Sequence, residues 1–177
     1  MEASKLPTIQ DIYNLPEGVR AELIDGQIYN LAAPSREHQE IIVELTTIIK
    51  NYIKEKGGDC KVYPSPFAVF LKNDTVYVEP DISVICDKNK LDSKGCHDAP
   101  DWIIEVLSSG TAHNDMVRKR RLYETVGVRE YWIVDPKTKT VQVYNYEEEN
   151  KTSLYGFEKV KVGIYEDLEI DFSLIEI

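Results

Sequence analysis

Apolar residues recur every three or four positions between residues 36 and 56, which predicts a long amphipathic helix with one buried stripe. Ser35 stands where a helix N-cap is expected, and Gly57-Gly58 ends the pattern. Two further helices are predicted, over residues 8–15 and from about 114 to 127. The chain therefore has one dominant helix in its first third and another in its second half.

Short apolar segments lie on both sides of the long helix and predict strands. Asp25-Gly26 predicts the turn of a hairpin over residues 20–32, because this dipeptide tolerates a positive φ. The other predicted strands are 61–63, 67–71, 77–86 (broken by Pro80), 101–107 and 130–134, with a polar loop over 87–100 and an antiparallel C-terminal meander of strands at 141–146, 154–162 and 168–172. Strands between two helices predict an α/β domain on a central mixed sheet flanked by helices. We expect residues 1–177 to form one domain.

Two acidic residues interrupt otherwise apolar strands. Glu105 lies within the run 101–107, and Asp81 follows Pro80 at the start of another apolar run. Burying a carboxylate costs several kcal/mol, roughly, unless a cation or metal compensates it. Lys119, on the apolar stripe of the second long helix, can face the sheet and reach Glu105.

Two acids and a lysine suit metal-assisted phosphodiester hydrolysis. Carboxylates can hold Mg²⁺, which lowers the pKa of a bound water. The lysine can orient or help deprotonate that water, or stabilise charge on a phosphate. The alternative is a buried Glu105–Lys119 ion pair that only closes the core.

The net charge of -10, from 31 acidic and 21 basic residues, argues at first against a nucleic-acid partner. Nine of those acids and only three lysines lie in residues 145–177, so the charge is concentrated in the tail. The one basic cluster is Arg118-Lys119-Arg120-Arg121. This cluster has two possible interpretations. It is either a solvated helix face or a site where Arg118, Arg120 and Arg121 contact DNA phosphates.

The three cysteines contain no CxxC pair, so neither a disulfide framework nor a structural zinc site is expected. A reducing compartment is favoured. No apolar run is long enough to span a membrane, and the start MEASKLPTIQ lacks the basic and apolar parts of a signal peptide. These features predict a cytoplasmic protein without a membrane partner.

Several segments resemble the Uma-type endonucleases of the restriction-endonuclease-like PD-(D/E)xK superfamily. In chain order they are AELIDGQI at 21–28, Glu79-Pro80-Asp81, APDWIIEVLSSGT at 99–111, Asp115-x-x-x-Lys119 and GVREYWIVDP at 127–136. The resemblance covers residues 9–146 and leaves an acidic, β-rich tail over 147–177.

The resemblance implies a restriction-endonuclease-like core and a divalent metal, Mg²⁺ or Mn²⁺. The implied metal ligands are Asp81, Glu105 and the backbone carbonyl of Val106. The superfamily places its lysine two residues after the acid, where this chain has Leu107, so the resemblance assigns the catalytic lysine to Lys119.

Two further acids, Glu22 and Asp115, lie in the segments that carry the resemblance, and each has two possible roles. Glu22 is either an extra acid facing the site or an exposed hairpin residue. Asp115 is either a partner of Lys119 or a charge favoured near a helix start.

The sequence thus predicts a Mg²⁺-dependent endonuclease that hydrolyses DNA after a weak or partner-assisted encounter. The resemblance also makes a homodimer an expectation. Two alternatives remain open: a catalytically silent binding or assembly module with the nuclease fold, and a hydrolase of a small phosphorylated ligand.

Overall fold

The computed structural model describes residues 6–108, 113–148 and 151–177, without the side chains of residues 113–115. The helices are α1 (Ile9–Tyr13), α2 (Arg36–Lys56) and α3 (His113–Val126). The strands are β1 (Ala21–Ile24), β2 (Gln27–Asn30), β3 (Lys61–Pro64), β4 (Val69–Leu71), β5 (Val76–Val78), β6 (Ile82–Ile85), β7 (Cys96–His97), β8 (Trp102–Val106), β9 (Glu130–Asp135), β10 (Thr140–Asn145), β11 (Lys151–Gly156), β12 (Lys159–Lys161) and β13 (Glu169–Asp171).

The long helix α2 has the boundaries that its capping residues predict. The Ser35 hydroxyl accepts a hydrogen bond from the His38 backbone N–H at 3.2 Å. Gly57 takes the left-handed conformation, with φ 65°, and closes the helix. The buried stripe of α2, formed by Ile41, Ile42, Leu45, Ile49 and Ile53, packs into the largest core cluster.

The strands form two larger sheets and one small one. The first larger sheet has the order β2-β1-β5-β4-β7, and the second has β11-β10-β9-β8-β6-β3. Each contains one parallel pair, β4 with β7 and β8 with β9, among antiparallel pairs. The remaining pair, β12 with β13, belongs to the C-terminal segment. The predicted α/β class with mixed sheets is confirmed.

Successive residues of β8 face opposite sides of the six-stranded sheet. Trp102 and Ile104 join the core that contains α2, whereas Ile103 joins the core that contains Leu122 and Tyr123 of α3. Glu105 therefore points to the α3 side, as the alternation of a strand requires. In the described chain, no helix combines the length and apolar character that a membrane span requires.

The predicted strand 77–86 is two strands in different sheets. β5 lies in the five-stranded sheet and β6 in the six-stranded one, and the chain crosses between them at Glu79, Pro80 and Asp81. The crossing follows from Pro80, which lacks the N–H that a continuous ladder needs. This crossing places Asp81 at the seam between the two sheets.

Smaller differences concern the loop and the tail. The polar loop 87–100 contains the two-residue strand β7, whose pairing with β4 the sequence pattern does not reveal. The predicted strand 154–162 divides into β11 and β12, and only β11 continues the meander next to β10. Trp102, Tyr131 and Trp132 are buried core aromatics.

The structure contains one disulfide among the described residues, although no disulfide framework is expected from the sequence. Cys60 and Cys86 form a disulfide, whereas Cys96 is free and buried. The physical reason is the register of the strand pair. β3 pairs with β6 so that Lys61 lies opposite Ile85, which places Cys60, just before β3, next to Cys86, just after β6. Sequence spacing alone does not reveal a cross-strand pairing of this kind.

Glu130 fastens the C-terminal segment to the six-stranded sheet. Its buried carboxylate accepts hydrogen bonds from Trp132 Nε1 at 2.6 Å and from the backbone N–H groups of Gly163 and Ile164 at 3.0 and 2.8 Å. Glu130→Ala leaves these donors without an acceptor, so we expect a loss of about 3 kcal/mol in the free energy of unfolding. Urea denaturation measures it, with the exposed Glu158→Ala as control; a loss below about 1 kcal/mol contradicts the anchoring role.

Candidate active site

A cleft lies at the seam where the two sheets, α2 and α3 meet. It has a volume of about 480 Å³. Charged side chains from four different elements line it: Glu22 of β1, Asp81 of the crossing between β5 and β6, Glu105 of β8, and Lys119 of α3. Distant parts of the chain thus bring three carboxylates and an ammonium group to one place.

Lys119 joins two of the acids at the floor of the cleft. Its Nζ donates to Glu22 Oε1 and to Glu105 Oε1, each at 3.0 Å. The side chain of Lys119 is only 8% exposed, and those of Glu22 and Glu105 are 2% and 12% exposed. The ion pair considered from the sequence is therefore present, and its residues line the cleft.

The surroundings of Glu105 shift its pKa strongly upwards. Burial raises the pKa of Glu105 to about 8; Lys119 opposes that effect, whereas Asp81 and Glu22 add to it. Tyr123 donates its hydroxyl to Glu105 Oε1 at 3.0 Å. Burial also raises the pKa of Tyr123 well above its ordinary value, so this hydroxyl stays a donor.

Two donors orient the carboxylate of Asp81. Its Oδ2 accepts the Val106 backbone N–H at 2.8 Å and lies 3.1 Å from His38 Nε2. Among the described residues, Asp81 Oδ1 has no hydrogen-bond partner, and Asp81 lines the cleft. Asp81 therefore has one oxygen engaged by the protein and the other available to a ligand.

A further layer of contacts supports Glu22 from behind. Glu22 Oε1 accepts the Glu79 backbone N–H at 3.0 Å. The side chain of Glu79 in turn accepts from Arg20 Nε at 2.8 Å and from the Tyr77 hydroxyl at 2.6 Å. Hydrogen bonds thus hold the side chains of both Glu79 and Asp81, the two acids of the Glu79-Pro80-Asp81 segment, in place.

The four basic residues of α3 project in different directions. Lys119 is buried at the cleft floor, and Arg118 lies at the rim with its guanidinium 4.1 Å from the centroid of the Tyr29 ring. Arg120 is exposed and lies 5.5 Å from the Tyr144 ring centroid, and Arg121 is exposed on the flank of α3. Asp115 belongs to α3, but its side chain lies outside the described residues.

Two residues of the cleft region were not singled out as site residues from the sequence. His38 reads as a helix-cap residue, and its backbone does serve the cap, but its buried side chain contacts Asp81. Tyr123 reads as a core aromatic on the same helical stripe as Lys119. The four-residue spacing from Lys119 was the available signal, since such residues are neighbours on a helix.

The donor set suits a hard cation that keeps part of its water shell. Within the described residues, no three His, Cys, Asp or Glu side chains converge as a complete metal site. Mg²⁺ is commonly bound by one or two carboxylates together with several waters, so a third side chain is not required. The Val106 carbonyl leaves the same strand edge as the N–H that contacts Asp81, as strand geometry dictates.

Comparisons with known proteins agree with this architecture. A protein of Synechocystis sp. (strain ATCC 27184 / PCC 6803 / Kazusa), described as uncharacterized, is 33% identical over 125 residues, which are 70% of this chain and 65% of that protein. The match thus spans just under two thirds of the relative. A crystal structure from Anabaena variabilis ATCC 29413, titled a putative nuclease belonging to DUF820, shares the fold, with a TM-score of 0.79 and 22% identity over 94% of this chain and 96% of that one.

A family profile covers nearly the whole chain. The Uma2 profile, whose description is "Putative restriction endonuclease", matches residues 7–174. The resemblance inferred from the sequence segments is therefore confirmed, and it extends into the acidic tail that those segments left out. The chain belongs to the Uma2 family.

Proposed function

We propose that this protein is a divalent-metal-dependent endonuclease that hydrolyses phosphodiester bonds in DNA. The observation that carries the proposal is the convergence of Asp81, Glu105 and Lys119 on one cleft, with Lys119 Nζ 3.0 Å from Glu105. Membership in a family whose description is "Putative restriction endonuclease" supports the same reaction class.

In this proposal Asp81, Glu105 and the Val106 carbonyl hold Mg²⁺ or Mn²⁺. Asp81 Oδ1 has no partner among the described residues, and Glu105 uses Oε1 for its contacts with Lys119 and Tyr123. One oxygen of each carboxylate is thus committed to the protein, which fixes its orientation before a ligand arrives. A bound Mg²⁺ supplies a water of lowered pKa and offsets charge that develops on the phosphate.

The protein groups hold the substrate and balance its charge. Lys119 is anchored by Glu22 and Glu105, so its positive charge stays at the cleft floor, where it can stabilise a phosphate in the transition state. Arg118 at the cleft rim can contact an adjacent phosphate, since a guanidinium matches two phosphate oxygens at once. Tyr123 keeps Glu105 in place through its hydroxyl.

A plasmid-nicking assay tests this proposal. The purified protein is expected to convert supercoiled DNA to nicked or linear forms with Mg²⁺ or Mn²⁺ and to leave it intact with EDTA. Asp81→Asn, purified identically, serves as the inactive control and excludes a contaminating nuclease. Cleavage by Asp81→Asn at the wild-type rate would contradict the assignment.

His38 is expected to act as a positioning residue for Asp81. His38→Ala removes the contact at 3.1 Å with Asp81 Oδ2, so the carboxylate gains rotational freedom. Loss of such a supporting contact typically weakens metal binding about 10- to 100-fold, and we expect this decrease in Mn²⁺ affinity, measured by the electron paramagnetic resonance of free Mn²⁺.

Two further variants separate positioning from general structural support. His38→Gln can still donate to Asp81 and should restore part of the affinity. His97→Ala provides a matched control, because His97 also contacts aspartates, Asp74 at 3.1 Å and Asp92 at 3.2 Å, but does not line the cleft. Wild-type Mn²⁺ affinity in His38→Ala would exclude the positioning role.

A further inference from the structure

A second cleft of about 280 Å³ lies on the flank of α3. Among the described residues, its charged lining consists of Lys72, Arg118, Arg121 and Asp25, three cations and one carboxylate. In a chain of net charge -10, this small concave surface therefore carries a local positive excess. Concave surfaces of one charge sign concentrate counter-charged ligands, which points to an anion.

Helical spacing explains which arginines reach this cleft. Arg118 and Arg121 are three positions apart and so lie on the same face of α3. Thr125, one turn further along, lines the same cleft. Arg120 projects elsewhere, towards the Tyr144 ring. The side chains of the basic cluster therefore point to three places: the main cleft, the second cleft and the Tyr144 ring.

Lys72 comes from a different part of the chain, the turn between β4 and β5. The turn holds Lys72, Asn73 and Asp74 at φ values of 51°, 54° and 60°. Lys72 Nζ lies 3.6 Å from Asp25 Oδ1, and the two side chains are 40% and 67% exposed. Exposed ion pairs of this kind contribute little, so Lys72 can exchange Asp25 for an incoming anion at small cost.

Arg118 connects the two clefts, because it lines both of them. Its guanidinium lies 4.1 Å from the centroid of the Tyr29 ring, a geometry in which cation and ring attract each other. A guanidinium held in this way has lost part of its rotational freedom before a ligand arrives. A polyanionic strand that enters the candidate active site can thus continue past Arg118 into the second cleft.

We propose that Lys72, Arg118 and Arg121 bind phosphates of a DNA strand next to the phosphodiester held in the candidate active site. This assignment rests on the proposed endonuclease function. The shared chemistry is that of a phosphate anion, and the polynucleotide backbone is favoured because the two clefts share a wall residue. Lys72 lies outside the basic cluster and extends the contact surface across the five-stranded sheet.

Duplex binding measured in EDTA tests the second cleft separately from cleavage. Fluorescence anisotropy gives the affinity of a labelled duplex at several salt concentrations for the wild type, Lys72→Ala and Arg121→Ala. Each variant is expected to reduce the slope of log affinity against log salt by about one, because each removes one phosphate contact. Lys50→Ala, which removes an exposed cation from α2, is the matched control and should retain the wild-type slope.

Two results would overturn the assignment. One is a wild-type slope in both Lys72→Ala and Arg121→Ala. The other is displacement of the duplex by micromolar inorganic phosphate, which would identify the cleft as a site for a small phosphate. Failure of the wild type to nick plasmid DNA would contradict the endonuclease proposal but would leave these binding slopes unchanged. The failure of one proposal can therefore be distinguished from the failure of the other.

Discussion

Glu105→Gln is expected to reduce DNA cleavage by at least about 100-fold and to leave the fold at least as stable as the wild type. The substitution removes the proposed metal-binding charge, but the amide oxygen of the new side chain can still accept hydrogen bonds from Lys119 and Tyr123. Burial and the nearby Asp81 and Glu22 disfavour the ionised form of Glu105, and a neutral amide at this position removes that cost. Activity and stability should therefore change independently.

The stability effect has a defined pH dependence. Burial raises the pKa of Glu105 from an ordinary value of 4.5 to about 8, so the folded wild type retains a proton that the unfolded chain has lost. The free energy of unfolding of the wild type should consequently fall between about pH 4.5 and pH 8, and Glu105→Gln should lack this contribution. Thermal unfolding at pH 5 and pH 8 measures the difference; a variant less stable than the wild type at pH 8 would contradict this cost of ionising Glu105.

Lys119→Met is expected to cost about 3–5 kcal/mol of stability and to abolish cleavage as well. Methionine retains much of the length of the side chain but leaves the buried Glu22 and the largely buried Glu105 without their shared cation. Breaking a buried ion pair from one side costs more than removing it entirely. Urea denaturation measures the loss, and Lys50→Met on the exposed face of α2 controls for the change of residue type.

A double variant separates the two roles of Lys119. Glu22→Gln combined with Lys119→Met removes one of the uncompensated charges, so part of the lost stability should return. Cleavage should not return, because the positive charge at the cleft floor is still missing. With Glu22→Gln also measured alone, a double variant whose loss equals the sum of the two single losses would show that Glu22 and Lys119 are not energetically coupled.

Much of this architecture follows from local patterns in the sequence. The stripe of α2, its Ser35 cap and its Gly57 end predict the helix boundaries, because these signals act within a few residues. Glu105 and Asp81 stand out for the same reason, since an acid within an apolar strand conflicts with its neighbours. The orientation of Lys119 follows from helical periodicity alone.

Long-range pairing explains what the sequence did not predict. The contact between His38 and Asp81 joins residues 43 positions apart, and nothing near either residue encodes it. The disulfide depends on the register between β3 and β6, and the division into two sheets depends on which strand β5 pairs with. Glu22 was left open because a hairpin strand can expose either face until a second sheet covers it.

The structure separates acidic and basic side chains into different regions of the surface. Asp167 of the tail contacts α2, where it accepts a hydrogen bond from Tyr52 at 2.6 Å. Glu22, Asp81 and Glu105 gather in the main cleft, whereas Lys72, Arg118 and Arg121 line the second cleft beside it. An acidic protein can thus present a confined basic surface next to the proposed metal site, which is compatible with the proposed weak encounter with DNA.

The central claim is that Asp81 and Glu105 together hold a divalent ion in the main cleft. Crystals grown with Mn²⁺ allow the ion to be located by its anomalous scattering. The account predicts one peak within coordination distance of both carboxylates in the wild type, and no peak there in Glu105→Gln. A Mn²⁺ peak elsewhere, or one that persists unchanged in Glu105→Gln, would contradict it.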